Sequence, residues 1–335
     1  MAKEISDKKL LTPLSVVSKK SSQARHGAPA REKKLARPTV IVIVGPTGSG
    51  KTALAVKLVR RFGGVILSAD SRQLYRGMDI GTAKPTRTEQ RTAKHYFVDV
   101  IRPNQTYSAG RFQREVYALV RTLHHRKPDE PLFLVGGTYL YVDAVLKGWN
   151  FAATPKQAAI RRRLEKLSLA ELQELIHRLD PATAKKIDIH NRRRLVRALE
   201  VILSTGSSFY KQRTGRVPDW NILKVGLRVP QTKLDISNRK RIDRMFRQDW
   251  VAEVKRLRKR YQPTAPGFYA HGYREVLGYI QGKTTLAQTK ERIAINTRHH
   301  TKRQMAWFKK DKAIHWISPR DYSKAARLVS RVVAP

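Results

Sequence analysis

Cysteine is absent from the 335 residues of the chain. This absence excludes disulfide bonds, thiolate metal sites and cysteine nucleophiles; a reducing compartment is compatible with it but not required. Long apolar runs are missing as well, because no segment approaches the ~20 consecutive apolar residues that a membrane-spanning helix needs. We therefore expect a soluble protein without membrane contact. The expected location is the cytoplasm, since no targeting signal is recognisable.

Acidic residues are scarce. The chain holds 26 aspartates and glutamates against 69 lysines and arginines, a formal net charge of +43. Self-repulsion on this scale opposes a compact state unless a partner carries the opposite charge. Counterion release rewards many dispersed lysines and arginines, so the composition favours a nucleic-acid partner over an organism whose proteins are simply basic. Apolar residues make up 41%, which is enough for a folded core.

The first 38 residues differ from the rest of the chain. They carry paired lysines at 8–9, 19–20 and 33–34, and no apolar run long enough for a secretory signal. We predict a flexible basic tail over residues 1–38, which is either solvated or in contact with RNA.

Short apolar segments alternate with helical patterns from residue 39 onward. The run TVIVIV at 39–44 is β-branched throughout and predicts a buried strand of a parallel sheet, followed by a helix. Such alternation predicts an α/β fold with a parallel sheet flanked by helices. Further strands are predicted at 65–67, 96–100, 131–135, 222–229 and 313–318, and a helix at 111–124.

The middle and the C-terminal third are mostly helical in pattern. Residues 155–205 are dense in arginine and lysine, whereas 234–260 and 284–311 each predict one long helix. The predicted organisation is a tail (1–38), a first part of the core (39–150), an inserted helical lobe (151–205), and a segment that completes the core and adds basic helices (206–335).

Residues 45–52 read GPTGSGKT and match the phosphate-loop pattern G-x-x-x-x-G-K-[ST] between a predicted strand and a predicted helix. The glycines let successive backbone N–H groups point at phosphate oxygens, and the helix N-terminus adds partial positive charge. Lys51 supplies a full charge, and the Thr52 hydroxyl can ligate Mg²⁺. The loop predicts a P-loop NTPase-like core that binds a diphosphate or polyphosphate, but it leaves the reaction open. The candidate phosphate-binding residues are Gly45, Thr47, Gly48, Ser49, Gly50, Lys51 and Thr52.

A second block, SADSRQLYRGMDIGTAKP at 68–85, resembles the tRNA dimethylallyltransferase (tRNA isopentenyltransferase) family. The resemblance covers about residues 39–318 in several blocks that stand in the family's order. It implies magnesium-dependent transfer of a dimethylallyl group from dimethylallyl diphosphate to N6 of the adenosine 3′ of the anticodon in tRNA. The further blocks are HYFVDV at 95–100, YSA at 107–109, GGT at 136–138, RLVRALE at 194–200, GYREV at 272–276 and KRQMAWF at 302–308.

Asp70 follows the second predicted strand, the usual position for active residues in an open α/β sheet. A carboxylate there can accept a proton from an attacking amine, although capping a turn or holding Mg²⁺ through water fits its position equally well. The resemblance implies the general-base role. It also implies that Thr138 and Arg241 complete the catalytic set at the diphosphate, the arginine through its bidentate fork.

Two positions depart from the family's pattern. Tyr139 stands where a small or polar residue is usual, so its ring could narrow the channel or stack near the base. Ser237 stands where another arginine is common, four residues before Arg241. The clamp is then either weaker or supplied by Arg239.

Several basic and amide residues are candidates for RNA contact. Ser71 and Gln73 can hydrogen-bond a base edge, whereas Arg72 faces a phosphate or solvent. The resemblance implies that the lobe grips the anticodon stem-loop, with the arginine runs at 161–163 and 192–194 as backbone contacts. In the helix at 284–311, spacing places a basic face beside a packing face. The basic face holds Arg292, His299, Arg303 and Lys310, and the packing face holds Ile293, Thr297, Gln304 and Phe308. The predicted tRNA contacts are Ser71, Arg72, Gln73, Arg194, Arg274, Arg303 and Gln304.

Three other functions stay open at this point. A P-loop kinase of a small nucleoside would consume ATP. A cytokinin-type adenylate isopentenyltransferase would use the same phosphate loop on a free nucleotide, against which the large basic lobe argues. A catalytically silent RNA-binding protein would not need the loop together with Asp70. We expect a monomer, without the cysteine-based zinc finger of eukaryotic relatives.

Overall fold

A six-stranded parallel sheet organises the structure, a computed structural model that describes residues 37–151, 158–210 and 215–333. The strand order is β3-β2-β4-β1-β5-β6, and every neighbouring pair runs parallel. The strands are β1 (Thr39–Val44), β2 (Val65–Ser68), β3 (His95–Tyr96), β4 (Leu132–Gly136), β5 (Asn221–Leu227) and β6 (Ile314–Ile317).

Helices cover both faces of the sheet, as the fully apolar β1 requires. Alternate residues of β1 enter different apolar clusters: Val42 packs toward α3, α4 and α9, whereas Ile43 packs toward α1 and α13. The helices are α1 (Lys51–Phe62), α2 (Arg87–Thr92), α3 (Ala109–Arg126), α4 (Tyr139–Leu146), α5 (Ala158–Leu164), α6 (Leu169–Leu179), α7 (Pro181–Ala184), α8 (Arg192–Thr205), α9 (Gln231–Arg247), α10 (Trp250–Arg258), α11 (Tyr273–Ile280), α12 (Leu286–Phe308) and α13 (Tyr322–Val333). Among the described helices, none is long and apolar enough to cross a membrane.

Helices α5 to α8 form the helical lobe and have an apolar cluster of their own. Leu172 and Ile176 of α6 meet Leu195 and Leu199 of α8 in this cluster, and all four side chains are buried. The lobe is therefore held by its own packing, and Arg193 and Arg194 are exposed on its surface. Its predicted bounds stay a prediction, because residues 152–157 and 211–214 fall outside the described part, as does the basic tail up to residue 36.

Five of the six predicted strands are confirmed within two residues at either end. The prediction of a strand over 96–100 is wrong beyond its first residue, since β3 ends at Tyr96. Phe97 and Asp99 adopt positive φ angles of 64° and 57°, which an extended strand cannot contain.

The prediction of one continuous helix over 234–260 is also wrong, because the structure has two helices, α9 and α10, in this segment. The break lies between α9 and α10, where Asp249 has a φ of 66° and caps the second helix by accepting a hydrogen bond from the Ala252 amide at 3.3 Å. The apolar stripe continues across the break, because Ile242 and Trp250 are both buried. Apolar spacing alone therefore did not reveal the cap.

Three loops leave the sheet at the carboxyl ends of adjacent strands. β1 is hydrogen-bonded to β4, and β4 to β2, so the loops that start at Gly45, Ala69 and Gly137 emerge side by side. This edge is where open α/β sheets place ligands. The topology thus brings the phosphate loop together with two of the blocks that carried the resemblance, those at 68–85 and 136–138.

Candidate active site

The phosphate loop joins β1 directly to α1. Gly48 and Gly50 have φ angles of 82° and 88°, and α1 begins at Lys51, so the loop amides and the helix N-terminus face one position. Gly48 is also required sterically, because a Cβ atom there would lie 2.5 Å from the Asn238 side-chain oxygen. The loop has the curvature that the sequence predicted for a phosphate site.

Asp70 and Thr138 lie on the two neighbouring loops, which are tied to each other. The Ser71 amide donates to Thr138 Oγ1 at 3.0 Å, and the Thr138 amide donates to the Ala69 carbonyl at 3.2 Å. One carboxylate oxygen of Asp70 accepts from the Arg72 amide at 2.9 Å, which fixes the direction of the side chain.

Gln304 of α12 connects the phosphate loop to the β4 loop. Its Oε1 accepts from the Thr47 amide at 2.9 Å, and its Nε2 donates to the Gly137 carbonyl at 2.8 Å. Gly137 has no side chain because a Cβ atom would lie 2.2 Å from that nitrogen. Gln304 is 2% exposed, so the tRNA contact predicted for it is at odds with the structure. Its amide holds two active-site loops in register instead.

Two cations and one anion meet at the phosphate loop. Burial lowers the pKa of Lys51 to about 8, the charge on Asp70 raises it, and Arg241 lowers it further. Burial also lowers the pKa of Arg241, with an opposing contribution from Asp70. The Lys51 ammonium donates to the Pro46 carbonyl at 2.8 Å. By solvent exposure Lys51 and Arg241 are half-buried, and together they carry more positive charge than the single carboxylate balances, which suits a polyvalent anion.

Buried polar atoms without partners gather at the same loop. Ser49 is 3% exposed and Asn238 is also 3% exposed, and neither side chain has a hydrogen-bond partner in the described structure. Sequence reasoning missed Asn238. A usable signal was its place three residues before Arg241, on the same face of α9 and in an otherwise apolar stripe.

The other predicted tRNA contacts fall into three groups by burial. Gln73 is buried, accepts from Ser68 Oγ at 3.0 Å and donates to the Ala83 carbonyl at 3.2 Å, so base recognition by its amide is at odds with the structure. Ser71 and Arg72 are half-buried beside Asp70. The remaining basic residues are exposed on α8, α11 and α12, at Arg194, Arg274 and Arg303.

Helix α12 presents the two faces that its spacing predicted. Exposed positions are Arg292, His299, Arg303 and Lys310, the last lying just beyond the helix, whereas Ile293, Gln304 and Phe308 are buried and Thr297 is half-buried.

Tyr139, one of the two departures from the family's pattern, and Arg239, the candidate to compensate for the other, each have partners of their own. The ring of Tyr139 stacks on Trp307 with centroids 4.5 Å apart, and Trp307 donates to Asp143 at 3.0 Å. Arg239 forms a bidentate ion pair with Glu291 at 2.5 and 2.8 Å on the exposed side of α9. Tyr139 is thus part of a packed aromatic pair, and Arg239 is held away from the phosphate loop.

Two histidines that the sequence analysis did not single out, His271 and His300, lie near Lys51 and Arg303. The rings of His271 and His300 are 4.4 Å apart, and burial lowers the pKa of His300 to about 3, helped by His271, Arg303 and Lys51. His300 is therefore neutral at physiological pH and adds no charge to the site.

No group of three or more histidine, aspartate or glutamate side chains within the described ranges is arranged to hold a metal ion. Mg²⁺ at a phosphate site is seldom held by a dedicated cluster of protein ligands, because much of its octahedral shell is water and substrate phosphate oxygens. Thr52, at the second position of α1, supplies a hydroxyl and is half-buried.

Comparisons with known proteins identify a matching family model and similar sequences. Residues 73–311 match the model of the IPP transferase family. The tRNA dimethylallyltransferase of Thermomicrobium roseum is 37% identical over 285 residues, which are 84% of this chain and 86% of that protein. A second relative, tRNA dimethylallyltransferase 2 of Geotalea uraniireducens, is 40% identical over 83% of this chain and 91% of its own length.

Solved structures give the same result. The tRNA isopentenylpyrophosphate transferase of Bacillus halodurans superposes with a TM-score of 0.67 at 31% identity, covering 89% of this chain and 97% of that protein. A eukaryotic dimethylallyltransferase acting on tRNA superposes with a TM-score of 0.73 at 25% identity, covering 88% of this chain and 77% of that one.

Proposed function

The chain belongs to the IPP transferase family, and we propose that it transfers a dimethylallyl group from dimethylallyl diphosphate to N6 of the adenosine 3′ of the anticodon in tRNA. The observation that carries the proposal is the group formed by Lys51, Arg241 and Asp70. Two desolvated cations at a phosphate loop suit a diphosphate, and a carboxylate beside them suits proton removal from an amine.

The diphosphate binds at the phosphate loop. Amides of the loop and the Lys51 ammonium hold its oxygens, and the Arg241 guanidinium binds it from α9. Binding exchanges the Lys51 hydrogen bond to the Pro46 carbonyl for a charged partner. Thr138 stands at the edge of this position, where its hydroxyl already bonds Ser71.

Mg²⁺ is part of the proposal: the Thr52 hydroxyl would hold it together with diphosphate oxygens and water. When bound, the ion neutralises charge on the departing diphosphate. The coordination set needs no carboxylate cluster, so the residues present fit it.

The transfer forms a bond between N6 and the allylic carbon, breaks the bond between that carbon and the diphosphate oxygen, and moves one proton from N6 to a carboxylate. The N6 lone pair attacks the allylic carbon as its bond to the diphosphate oxygen breaks, and the bonding electrons leave with the diphosphate. Asp70 accepts the N6 proton through the oxygen not engaged by the Arg72 amide. Chemistry on a base amino group requires an unstacked base, which favours the single-stranded anticodon loop as substrate.

The proposed tRNA substrate bears on three further expectations: the RNA-binding surface, the oligomeric state and the cellular location. Exposed arginines of the helical lobe and of α12 would bind the stem-loop backbone. A monomer suffices for the proposal, because every proposed side chain belongs to one chain. A cytoplasmic location follows from a tRNA substrate and stays a prediction.

The decisive experiment compares three reactions of the purified chain. The first contains labelled dimethylallyl diphosphate and tRNA, and the second contains the same donor and AMP. The third contains tRNA and ATP, with ATP replacing dimethylallyl diphosphate. We expect prenylated adenosine only in the first reaction, identified by mass spectrometry of digested tRNA. Product from AMP would favour the free-nucleotide transferase. Phosphorylated product from ATP would favour a kinase.

A further inference from the structure

Helix α9 offers two polar residues, Asn238 and Arg239, that could act beside Arg241, and only the Asn238 side chain lies against the phosphate loop. Arg239 was the sequence's candidate to replace the arginine missing at Ser237. The structure pairs Arg239 with Glu291 on the exposed side of the helix instead. A second diphosphate-binding side chain on α9, beside Arg241, must therefore be supplied by another residue or be absent.

Asn238 has the geometry that Arg239 lacks. Its side chain is 3% exposed, and its oxygen and nitrogen lie 2.5 and 3.5 Å from the point where a Cβ atom on Gly48 would stand. Gly48 is in the middle of the phosphate loop, and its φ of 82° belongs to the curl that turns the loop amides toward the phosphate. Asn238 and Arg241 are separated by one helical turn and point to the same side.

Neither amide atom of Asn238 has a partner among the described residues. Burying an unpaired amide costs stability, so such a group in a native structure calls for an explanation. Packing does not explain it, because an apolar residue of similar size would fill the same space without that cost. A ligand that accepts a hydrogen bond at the loop does explain it.

The unpaired Ser49 hydroxyl lies in the same phosphate loop. It is 3% exposed and lies 3.1 Å from the position of a Cβ atom on Gly45, at the start of the loop. Two unpaired polar side chains thus lie at the phosphate loop, Ser49 within it and Asn238 on α9, and the cations Lys51 and Arg241 beside them are half-buried. A single anion with several oxygens can satisfy both groups at once.

We propose that Asn238 is a diphosphate-binding residue, which donates its side-chain N–H groups to an oxygen of the leaving diphosphate and so takes the second clamp position on α9 beside Arg241. This inference rests on the proposed function. It predicts a clamp of one cation and one neutral donor on this helix, in place of two cations. A neutral donor adds geometry without adding another buried charge.

The test compares binding of inorganic pyrophosphate to the full chain and its variants by calorimetry, with and without Mg²⁺. Asn238→Leu keeps the size and removes both polar atoms, so we expect affinity to fall about tenfold to a hundredfold. Asn238→Asp keeps the shape and adds negative charge, so we expect a larger loss. Ser237→Ala, an exposed neighbour on α9, is the matched control and should bind like the wild type.

Thermal unfolding of the free variants separates ligand binding from a structural role. We expect Asn238→Leu to unfold at the same or a higher temperature than the wild type, because it removes a buried unpaired amide. Wild-type affinity of Asn238→Leu for pyrophosphate would overturn the proposal, whatever its unfolding temperature. A lower unfolding temperature in addition would assign Asn238 a structural role. Should Asn238→Leu fold poorly, the isosteric Asn238→Asp decides by the same affinity comparison.

Failure of the proposed function is distinguishable from failure of this inference. If the wild type binds pyrophosphate but transfers no dimethylallyl group to tRNA, the reaction is wrong while the Asn238 comparison remains valid. If the wild type transfers the group and Asn238→Leu binds pyrophosphate equally well, only the inference fails.

Discussion

The phosphate-loop face and the helical lobe are both rich in cations but expose them differently. Lys51 and Arg241 are desolvated beside a single carboxylate, whereas Arg193 and Arg194 of α8 stand exposed to solvent. Buried cations need a specific counter-charge and so define a small anionic ligand. Exposed cations along a helix suit a phosphate backbone of any sequence. Chemistry is therefore concentrated in a few residues, while affinity for tRNA is spread over many.

The sharpest test of this contrast removes the carboxylate from the buried group. We expect Asp70→Asn to lower the rate of transfer by about 10²–10⁴, because the amide cannot accept the N6 proton. Pyrophosphate affinity should be kept or improved, since a negative charge near the diphosphate is gone. Single-turnover transfer assays and calorimetry measure the two effects separately.

Asp79→Asn is the control for this variant, because that aspartate is exposed and pairs with Lys84 away from the loop. It should transfer at close to the wild-type rate. Near-normal transfer by Asp70→Asn would show that another group accepts the proton, and the buried group would then be a binding site only.

A second test loosens the loops without touching a charge. Gln304→Leu leaves the Thr47 amide and the Gly137 carbonyl without their partner, which should lower the free energy of unfolding by about 1–3 kcal/mol. Pyrophosphate affinity should fall about tenfold, because the phosphate loop loses its tie to the β4 loop. Denaturant unfolding and calorimetry measure these changes.

The exposed neighbour Lys302→Ala should leave both quantities unchanged. Loss of tRNA binding by Gln304→Leu with unaltered stability and pyrophosphate affinity would instead restore the direct RNA contact that the sequence suggested.

Spacing alone predicted the sheet and the phosphate loop, because buried parallel strands and P-loops impose strong local patterns. The glycines at 45, 48 and 50 and Lys51 stand where the motif placed them. Gln304 shows where such reasoning ends: a glutamine on a basic helix reads as an RNA contact, yet its partners are backbone atoms far away in the chain.

Asn238 and the break at Asp249 escaped for a related reason. The polar character of Asn238 acquires meaning only when α9 packs over Gly48, a long-range contact that periodicity does not encode. The break between α9 and α10 depends on the left-handed backbone conformation of Asp249, within an apolar stripe that continues on both sides. The buried site was therefore predictable in its motifs and not in the residues that hold those motifs together.

A third test varies the charge of Lys51 by pH. Its pKa is lowered to about 8, so the ammonium loses its proton as the pH rises through that value. We expect pyrophosphate affinity to fall by about tenfold between pH 7 and pH 9, and binding near pH 8 to take up protons, because a bound anion favours the charged form. Calorimetry in buffers of different ionisation enthalpy measures the uptake.

Lys51→Arg is the comparison, since arginine keeps its charge throughout this range. Titration of the pyrophosphate itself is common to both proteins. A decline of equal steepness in both would assign the pH dependence to the ligand and leave Lys51 protonated throughout.

The smallest effect is expected in the lobe, where charges act additively through solvent. Replacing Arg193 and Arg194 with alanine should weaken tRNA binding only several-fold. Each lost phosphate contact should reduce the slope of log affinity against log salt by about 0.7–0.9. The rate of transfer at saturating tRNA should not change, and neither should the affinity for pyrophosphate, because neither arginine lies at the phosphate loop.

Lys57→Ala is the control. Lys57 is exposed on α1, outside the lobe, so its replacement removes a surface charge and should leave the salt slope unaltered. An equal change in both variants would mean that net charge, and not the lobe, governs tRNA binding, and the division of labour between the two regions would be lost.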